Sequence, residues 1–410
     1  MSELNLNELK SKLEEKLRIE NFLRAEVKAL WAEINRIKGL PFFGLFERAM
    51  SRYVKFQSYF KFKKKQKKVN YKKSENTLKV NDTFSKTSLD FLFLVPTNNQ
   101  EIGGINTTFK LVQEMINNGI KDVAIFTINQ DPTVDKLEFL INIDQFNKIK
   151  SIKNIILTGI DCVPFYLEIK NKSQHKLIIN LLGPDFMFFN NWNLSKNFIG
   201  LLKTSDLILC LTPYLEKLVK ILNVKSQTFI TLLGPDKSIF NLKNVNPRDK
   251  TILVSCRSQF EKGLKFLIPS LAVIREKGWK IIGFGDLPDH AMANEFDEFV
   301  GRVSLENLSK MFNESKYLID PSLIEGLGLT ALEAASCGCL PIILNRNSFD
   351  ELFGNSQKPF IEISNFVNPT EILQILNQEL EVLPLIIAKQ QYLDFKNGAT
   401  KTIKKLIEFN

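Results

Sequence analysis

From residue 89 onward the chain alternates between short, nearly unbroken apolar runs and stretches with helical amphipathic spacing. The run Asp90-Phe91-Leu92-Phe93-Leu94-Val95 suits a strand covered on both faces, which needs no polar alternation. A loop holding Gly103 and Gly104 and a helix from about Asn106 to Asn118 are expected next, with Gly119 as the helix stop. Further strands are predicted at 123–127, 154–158, 176–180, 207–211 and 228–232. A second series opens near Lys250, with strands at 251–255, 279–284, 317–320 and 340–344 and helices at 264–276 and 329–337. Two runs of βα alternation predict an α/β protein with two doubly wound domains, 88–245 and 246–384, joined at about 240–250. Their carboxyl strand ends would face each other across a cleft, where open α/β sheets bind ligands. Residues 385–410 read as a C-terminal helix.

The chain before residue 88 has a different period. Over 4–38 the a positions are Leu6, Leu13, Glu20, Val27 and Ile34, and the d positions are Leu9, Lys16, Leu23, Leu30 and Ile37. This stripe predicts a coiled-coil helix over 1–40 that joins chains into a homo-oligomer. An amphipathic helix packed on the body is the other reading of the same stripe. Gly39-Leu40-Pro41 ends it.

Charge changes the picture of the segment that follows. The net charge of +10 is concentrated in residues 48–73, which hold eleven Lys or Arg and no Asp or Glu; the remaining chain holds 44 basic and 45 acidic residues. Phe42, Phe43, Phe46, Tyr53, Phe56, Tyr59, Phe60 and Phe62 lie among or beside those cations. Residues 41–87 therefore read as a basic aromatic segment for an anionic membrane surface, followed by a solvated linker over 64–87. Single-stranded nucleic acid would suit the same composition less well, and no nucleic-acid partner is expected. No window reaches the roughly 18 apolar residues of a membrane span, and the first residues do not resemble a signal peptide. The five cysteines form no C-x-x-C pair, so they read as buried thiols of a reducing compartment. A cytoplasmic protein at the inner membrane face follows.

The most informative stretch is Pro321-Ser322-Leu323-Ile324-Glu325-Gly326-Leu327-Gly328-Leu329-Thr330-Ala331-Leu332-Glu333-Ala334. A strand end, a glycine turn and a helix start with free amides make an anion site. Carboxylates at Glu325 and Glu333 suit sugar hydroxyls, because each accepts two hydrogen bonds from neighbouring OH groups. A purely structural strand–loop–helix with two surface glutamates would show the same residues.

This stretch resembles the E-x7-E element of glycosyltransferase family 4, with Leu327 where a Phe is usual and Gly338 at the closing Gly. Cys256-Arg257-Ser258-Gln259-Phe260-Glu261-Lys262-Gly263 is similar to the family's "G-R-x-x-x-x-K-G" stretch, with Cys256 in place of the first Gly. Ile281-Ile282-Gly283-Phe284-Gly285 resembles its Gly-x-Gly turn near the nucleotide base. Phe299-Val300-Gly301-Arg302-Val303 resembles its "F-x-G-x-V" strand, Gly234-Pro235-Asp236 its interdomain junction, and Gly103-Gly104 its N-terminal glycine loop. The ordered set covers residues 90 to about 380. In the first half Thr158-Gly159-Ile160-Asp161 and Leu182-Gly183-Pro184-Asp185-Phe186 resemble, faintly, enzymes of polysaccharide and O-antigen assembly.

The resemblance implies a GT-B fold of two Rossmann-like domains. It also implies sugar transfer from a nucleoside diphosphate to a glycan or lipid-linked acceptor, with retention of anomeric configuration. It assigns Arg257 and Lys262 to the diphosphate, Glu325 to the sugar and Glu333 to the ribose. Gly326, Leu327 and Gly328 would offer amides to the donor, Gly283 and Gly285 would lie near the base, and Gly103 and Gly104 near the donor phosphates. The histidine that many members carry in the first domain, near Ile160 or Asp161 here, has no counterpart in His175 or His290. With no D-x-D placed to hold a metal, a metal-independent mechanism without cofactor is expected. A non-catalytic scaffold acting through the coiled coil and basic segment is the rival reading.

Overall fold

The computed structural model describes residues 85–99, 103–129, 137–171, 174–184, 192–243, 248–287, 289–344, 347–353, 358–378 and 394–410. The coiled-coil expectation over 4–38 and the basic aromatic segment lie outside the described residues. The last linker residues, 85–87, are described, and the Thr87 carbonyl accepts from the Lys150 amide at 2.8 Å.

The first sheet contains β1 (Ser88–Thr97), β2 (Val123–Asn129), β3 (Leu140–Ile141), β4 (Ser151–Thr158), β5 (Lys176–Leu181), β6 (Leu207–Cys210) and β7 (Gln227–Ile230). Their order is β3-β2-β1-β4-β5-β6-β7, with every pairing parallel. Helices α1 (Gly103–Asn117), α2 (Ile143–Lys148), α3 (Val163–Ile169), α4 (Trp192–Thr204) and α5 (Pro213–Ile221) connect them. Phe91, Leu92, Phe93, Leu94 and Val95 are each buried, which explains why β1 reads as an unbroken apolar run.

The second sheet repeats the winding with β8 (Arg248–Cys256), β9 (Lys280–Gly285), β10 (Glu298–Phe299), β11 (Ser315–Asp320), β12 (Leu340–Leu344) and β13 (Ile361–Ile363). Their order is β10-β9-β8-β11-β12-β13, again parallel throughout. Its helices are α6 (Leu264–Glu276), α7 (Leu305–Glu314), α8 (Leu329–Ser336), α9 (Asn347–Phe353) and α10 (Pro369–Leu376). Chain order reverses between β1 and β4 in one sheet and between β8 and β11 in the other. These are the two places where a doubly wound sheet opens a crevice beyond its strand ends.

Two expectations need correction. Gly103 and Gly104 are not a loop before the helix but the first residues of α1, because the chain after β1 turns directly into it. Gly104 packs closely there: a Cβ would stand 3.2 Å from Leu182 Cδ1, so that side chain would have to give way. The strands β3 and β13 were not foreseen, being two and three residues long.

The last helix, α11 (Phe395–Phe409), packs on the first domain and not the second. The Phe395 amide donates to the Pro235 carbonyl at 3.1 Å, and Phe395, Ala399, Ile403 and Leu406 join the first domain's core. Gly398 lets the helix approach bare backbone, since a Cβ there would meet the Leu232 carbonyl at 2.5 Å and that of Thr231 at 2.8 Å. Leu232 itself has φ 47, a conformation uncommon for non-glycine residues. Replacing Gly398 by Val should therefore destabilise the protein by about 1–3 kcal/mol, the usual cost of overpacking. A thermal melt checks this: Gly398→Val should unfold several degrees lower, and an unchanged midpoint would contradict the packing of α11.

Candidate functional site

The two switch points face each other across a cavity of about 450 Å³. The first domain supplies Gly104, Ile105 and Thr107 from α1, Thr158 to Asp161 after β4, and Asn180 to Pro184 around the end of β5. From the second domain come Ser255, Arg257, Gln259, Glu261 and Lys262 at and after the end of β8, Asp286 after β9, Arg302, and Asp320, Ser322 and Ile324 to Thr330 at and after the end of β11.

The loops after β8 and β11 are fastened together. The Leu323 amide donates to the Glu261 carbonyl at 2.8 Å. Gly263, at φ 68, has no room for a side chain because the Pro321 carbonyl lies where its Cβ would be. Asp320, buried at the end of β11, accepts from Ser255 Oγ on β8 at 2.9 Å and from Ser322 Oγ at 3.0 Å. This rivet holds the two strand ends at the switch point in fixed register.

On that base Lys262 reaches Glu325, Nζ to Oε1 at 2.9 Å, with both side chains about 20% exposed. The sequence-predicted diphosphate ligand and sugar ligand are thus neighbours, one on each loop. Gly328, at φ 70, precedes α8 and gives it no side-chain cap, and among the described residues no side chain accepts from the helix's first amides. A Cβ on Gly328 would collide with the Phe349 ring. Gly326 is pressed against the other domain: a side chain there would strike the Leu182 carbonyl, and its own carbonyl accepts from Thr212 Oγ1 at 3.1 Å. Thr212 also accepts from the Leu215 amide at 3.4 Å as the N-cap of α5, so one hydroxyl starts a helix and joins the domains.

Arg257, Lys262, Glu325, Gly326, Leu327, Gly328 and Gly104 all line the cavity. Among the described residues, Glu333, Gly283 and Gly285 do not line it. Gly283 is held between rings, its absent Cβ 2.8 Å from Phe296 and 2.9 Å from Phe299. Gly285, at φ 106, backs onto the Cys256 carbonyl and leaves room for Arg257 Nη1. Gly285 thus shapes the wall behind Arg257.

Glu333 lies within α8 and is only 9% exposed. Burial pushes its carboxyl up to about 8; Lys110 and Arg257 pull it back in part, and Asp236 adds to the rise. Lys110, on α1, is paired with Asp236 of the junction at 2.5 Å. Burial works against the Asp236 carboxylate, yet the hydrogen bonds from Lys110 and Ser238 prevail and lower its pKa.

Spacing alone did not reveal three other groups of the cleft. Arg302 grips Asp286 with two hydrogen bonds, Nε to Oδ1 at 2.7 Å and Nη2 to Oδ2 at 2.5 Å, and both line the cavity. The Arg302 guanidinium holds the Asp286 carboxyl below its ordinary range. Asn180, on β5, donates to Thr158 Oγ1 and Thr108 Oγ1, both at 3.4 Å, while its Oδ1 is buried without a partner. Asp161 stands on the same wall; the cavity withdraws water from part of its carboxyl and raises its pKa, although the residue as a whole is exposed.

Residues 236–381 match the model of the family described as glycosyl transferases group 1. The second domain thus carries that family's pattern, on a fold of two Rossmann-like domains. An uncharacterized glycosyltransferase of Methanocaldococcus jannaschii is 26% identical over 282 residues, 64% of this chain and 77% of that protein. Anabaena HepE, solved in complex with UDP, superposes with a TM-score of 0.57 at 11% identity, over 78% of this chain and 100% of that one. Sucrose-phosphate synthase from Thermosynechococcus elongatus does so with 0.55 at 14% identity, over 77% and 94%.

The burial of Glu333 sets a pH dependence. Its folded pKa lies above the ordinary 4.5, so the bound proton stabilises the fold fully below about pH 4.5, and that stabilisation is lost as pH rises through about 8. Glu333→Gln cannot ionise. Its melting temperature relative to wild type should therefore climb from acid to alkaline pH, and a difference independent of pH would contradict a buried carboxyl.

Proposed function

We propose that the protein is a glycosyltransferase that moves a sugar from a nucleoside diphosphate to a hydroxyl of a glycan or lipid-linked acceptor. The observation that carries the reading is the meeting of Arg257, Lys262, Glu325 and the uncapped start of α8 in one cleft at a topological switch point. Two cations beside free helix amides suit a diphosphate, and a carboxylate next to them suits the hydroxyls of the attached sugar.

In the step proposed, the bond between the sugar's anomeric carbon and the diphosphate oxygen breaks, and the electron pair leaves with the diphosphate. Arg257, Lys262 and the α8 amides meet the charge growing on that oxygen. The acceptor oxygen bonds to the anomeric carbon on the face the diphosphate leaves, giving retention, and its proton passes to the departing phosphate. Protein cations carry the electrostatic role in this scheme, which makes the reaction metal-independent. Glu333 would hold the ribose hydroxyls, with Lys110 of the other domain near enough to favour its ionised form. The E-x7-E spacing of Glu325 and Glu333 supports a place in family 4, and the first-half resemblance supports a role in cell-surface polysaccharide assembly. Residues 4–38 would join chains and residues 41–87 would hold them at an anionic membrane surface on the cytoplasmic side.

A panel of nucleoside diphosphates and their sugars, followed by calorimetric titration, tests the donor site. Wild type should bind at least one of them. Arg257→Ala or Glu333→Ala should weaken that binding by about 10–100-fold, the loss of one charge-assisted contact or buried hydrogen-bond pair. A folded sample that binds no member of the panel would move the reading to a scaffold.

A further inference from the structure

The strands of the first sheet all run the same way, so their starts form one edge on the side away from the cleft. Lysines collect along it. Lys86 precedes β1, Lys121 precedes β2, Lys150 precedes β4 with Lys153 three residues later, and Lys176 opens β5. The last turn of α11 ends among them, for Lys176 Nζ donates to the Phe409 carbonyl at 2.6 Å and Asn154 Nδ2 to the Asn410 side chain at 2.7 Å. That turn adds Lys404, its side chain 80% exposed, and Ile407, 54% exposed. Asp122 stands 3.4 Å from Lys86, Asp90 2.8 Å from Lys153, and Glu408 4.0 Å from Lys404. Among the described residues no carboxylate pairs with Lys121 or Lys150.

We propose that this edge of the first domain docks on an anionic lipid bilayer, as a contact of the folded body additional to the basic aromatic segment. Clusters of four to eight Lys or Arg are the usual recognition surface for anionic lipid headgroups. Ile407 among the lysines adds an apolar group that can enter the headgroup layer, which favours lipid over nucleic acid. The chain itself argues for the same occupant. It enters the fold at Lys86 and Ser88 on this edge, and Lys73, the last cation of the basic aromatic run, is separated from Ser88 by at most about 50 Å of extended chain.

The test is co-sedimentation of the full chain, at about 0.15 M salt, with vesicles of phosphatidylcholine alone and of phosphatidylcholine mixed with phosphatidylglycerol. Wild type should bind the mixed vesicles. The combined variant Lys121→Glu, Lys150→Glu, Lys404→Glu should bind them at least ~10-fold less. A control with the same change of charge on the second domain, Lys265→Glu, Lys277→Glu, Lys310→Glu, should bind within about threefold of wild type if place matters and not total charge. Melts report whether each variant folds; if the reversals unfold the protein, the Lys→Gln set at the same positions is read in the same way. Equal losses in edge and control variants, wild-type binding by the edge variant, no binding of wild type to mixed vesicles, or preference for single-stranded nucleic acid would each overturn the proposal.

Discussion

The approach of the Gly326 backbone to the Leu182 carbonyl governs how the two halves of the cleft meet. No other residue type fits, because a Cβ would occupy the place of the carbonyl oxygen. The Thr212 hydroxyl closes the same contact by donating to the Gly326 carbonyl. Behind it Leu327, Ala331, Leu332 and Phe349 of the second domain share one apolar cluster with the core of the first. At the rim Lys217 of α5 pairs with Glu351 of α9 at 2.5 Å. The seam is therefore dry behind the loop and polar in front, which leaves the cavity as the place where buried charge meets solvent.

Within that cavity the cations come from one domain: Arg257, Lys262 and Arg302 stand on the second sheet's loops, together with Glu261, Asp286, Asp320 and Glu325, and the first domain contributes Asp161 and the neutral amide of Asn180. The Asp320 rivet fixes the loops after β8 and β11, so Lys262 and Glu325 are positioned by strands and not by mobile chain. Lys110 extends the first domain's reach to the junction through Asp236, and both bear on Glu333 from the side. Opening the cleft would thus alter the surroundings of Glu333 as well as the size of the cavity.

Much of this was legible in the sequence, for physical reasons that also mark where legibility ended. Strands buried on both faces, such as β1 and β5, announce themselves as unbroken apolar runs, whereas Leu140–Ile141 and Ile361–Ile363 are too short to carry any period. Gly103 and Gly104 read as a loop because glycine is a poor helix former, yet tertiary packing against Leu182 overrides that preference. The site's loops could be found because Arg257, Lys262, Glu325 and Glu333 keep local spacings. Asp286 with Arg302 and Asp320 with Ser255 could not be, since a hydrogen bond between residues 16 or 65 positions apart leaves no local trace. The burial of Glu333 was equally hidden, because it depends on tertiary packing around α8.

A crystal structure of the chain with the nucleoside diphosphate that binds it would test the central claim most directly. The account predicts the diphosphate within hydrogen-bonding distance of Arg257, Lys262 and the first amides of α8, with the Lys262–Glu325 pair opened or shared. A nucleotide bound away from the β8 and β11 strand ends, or one whose phosphates touch neither cation, would contradict it.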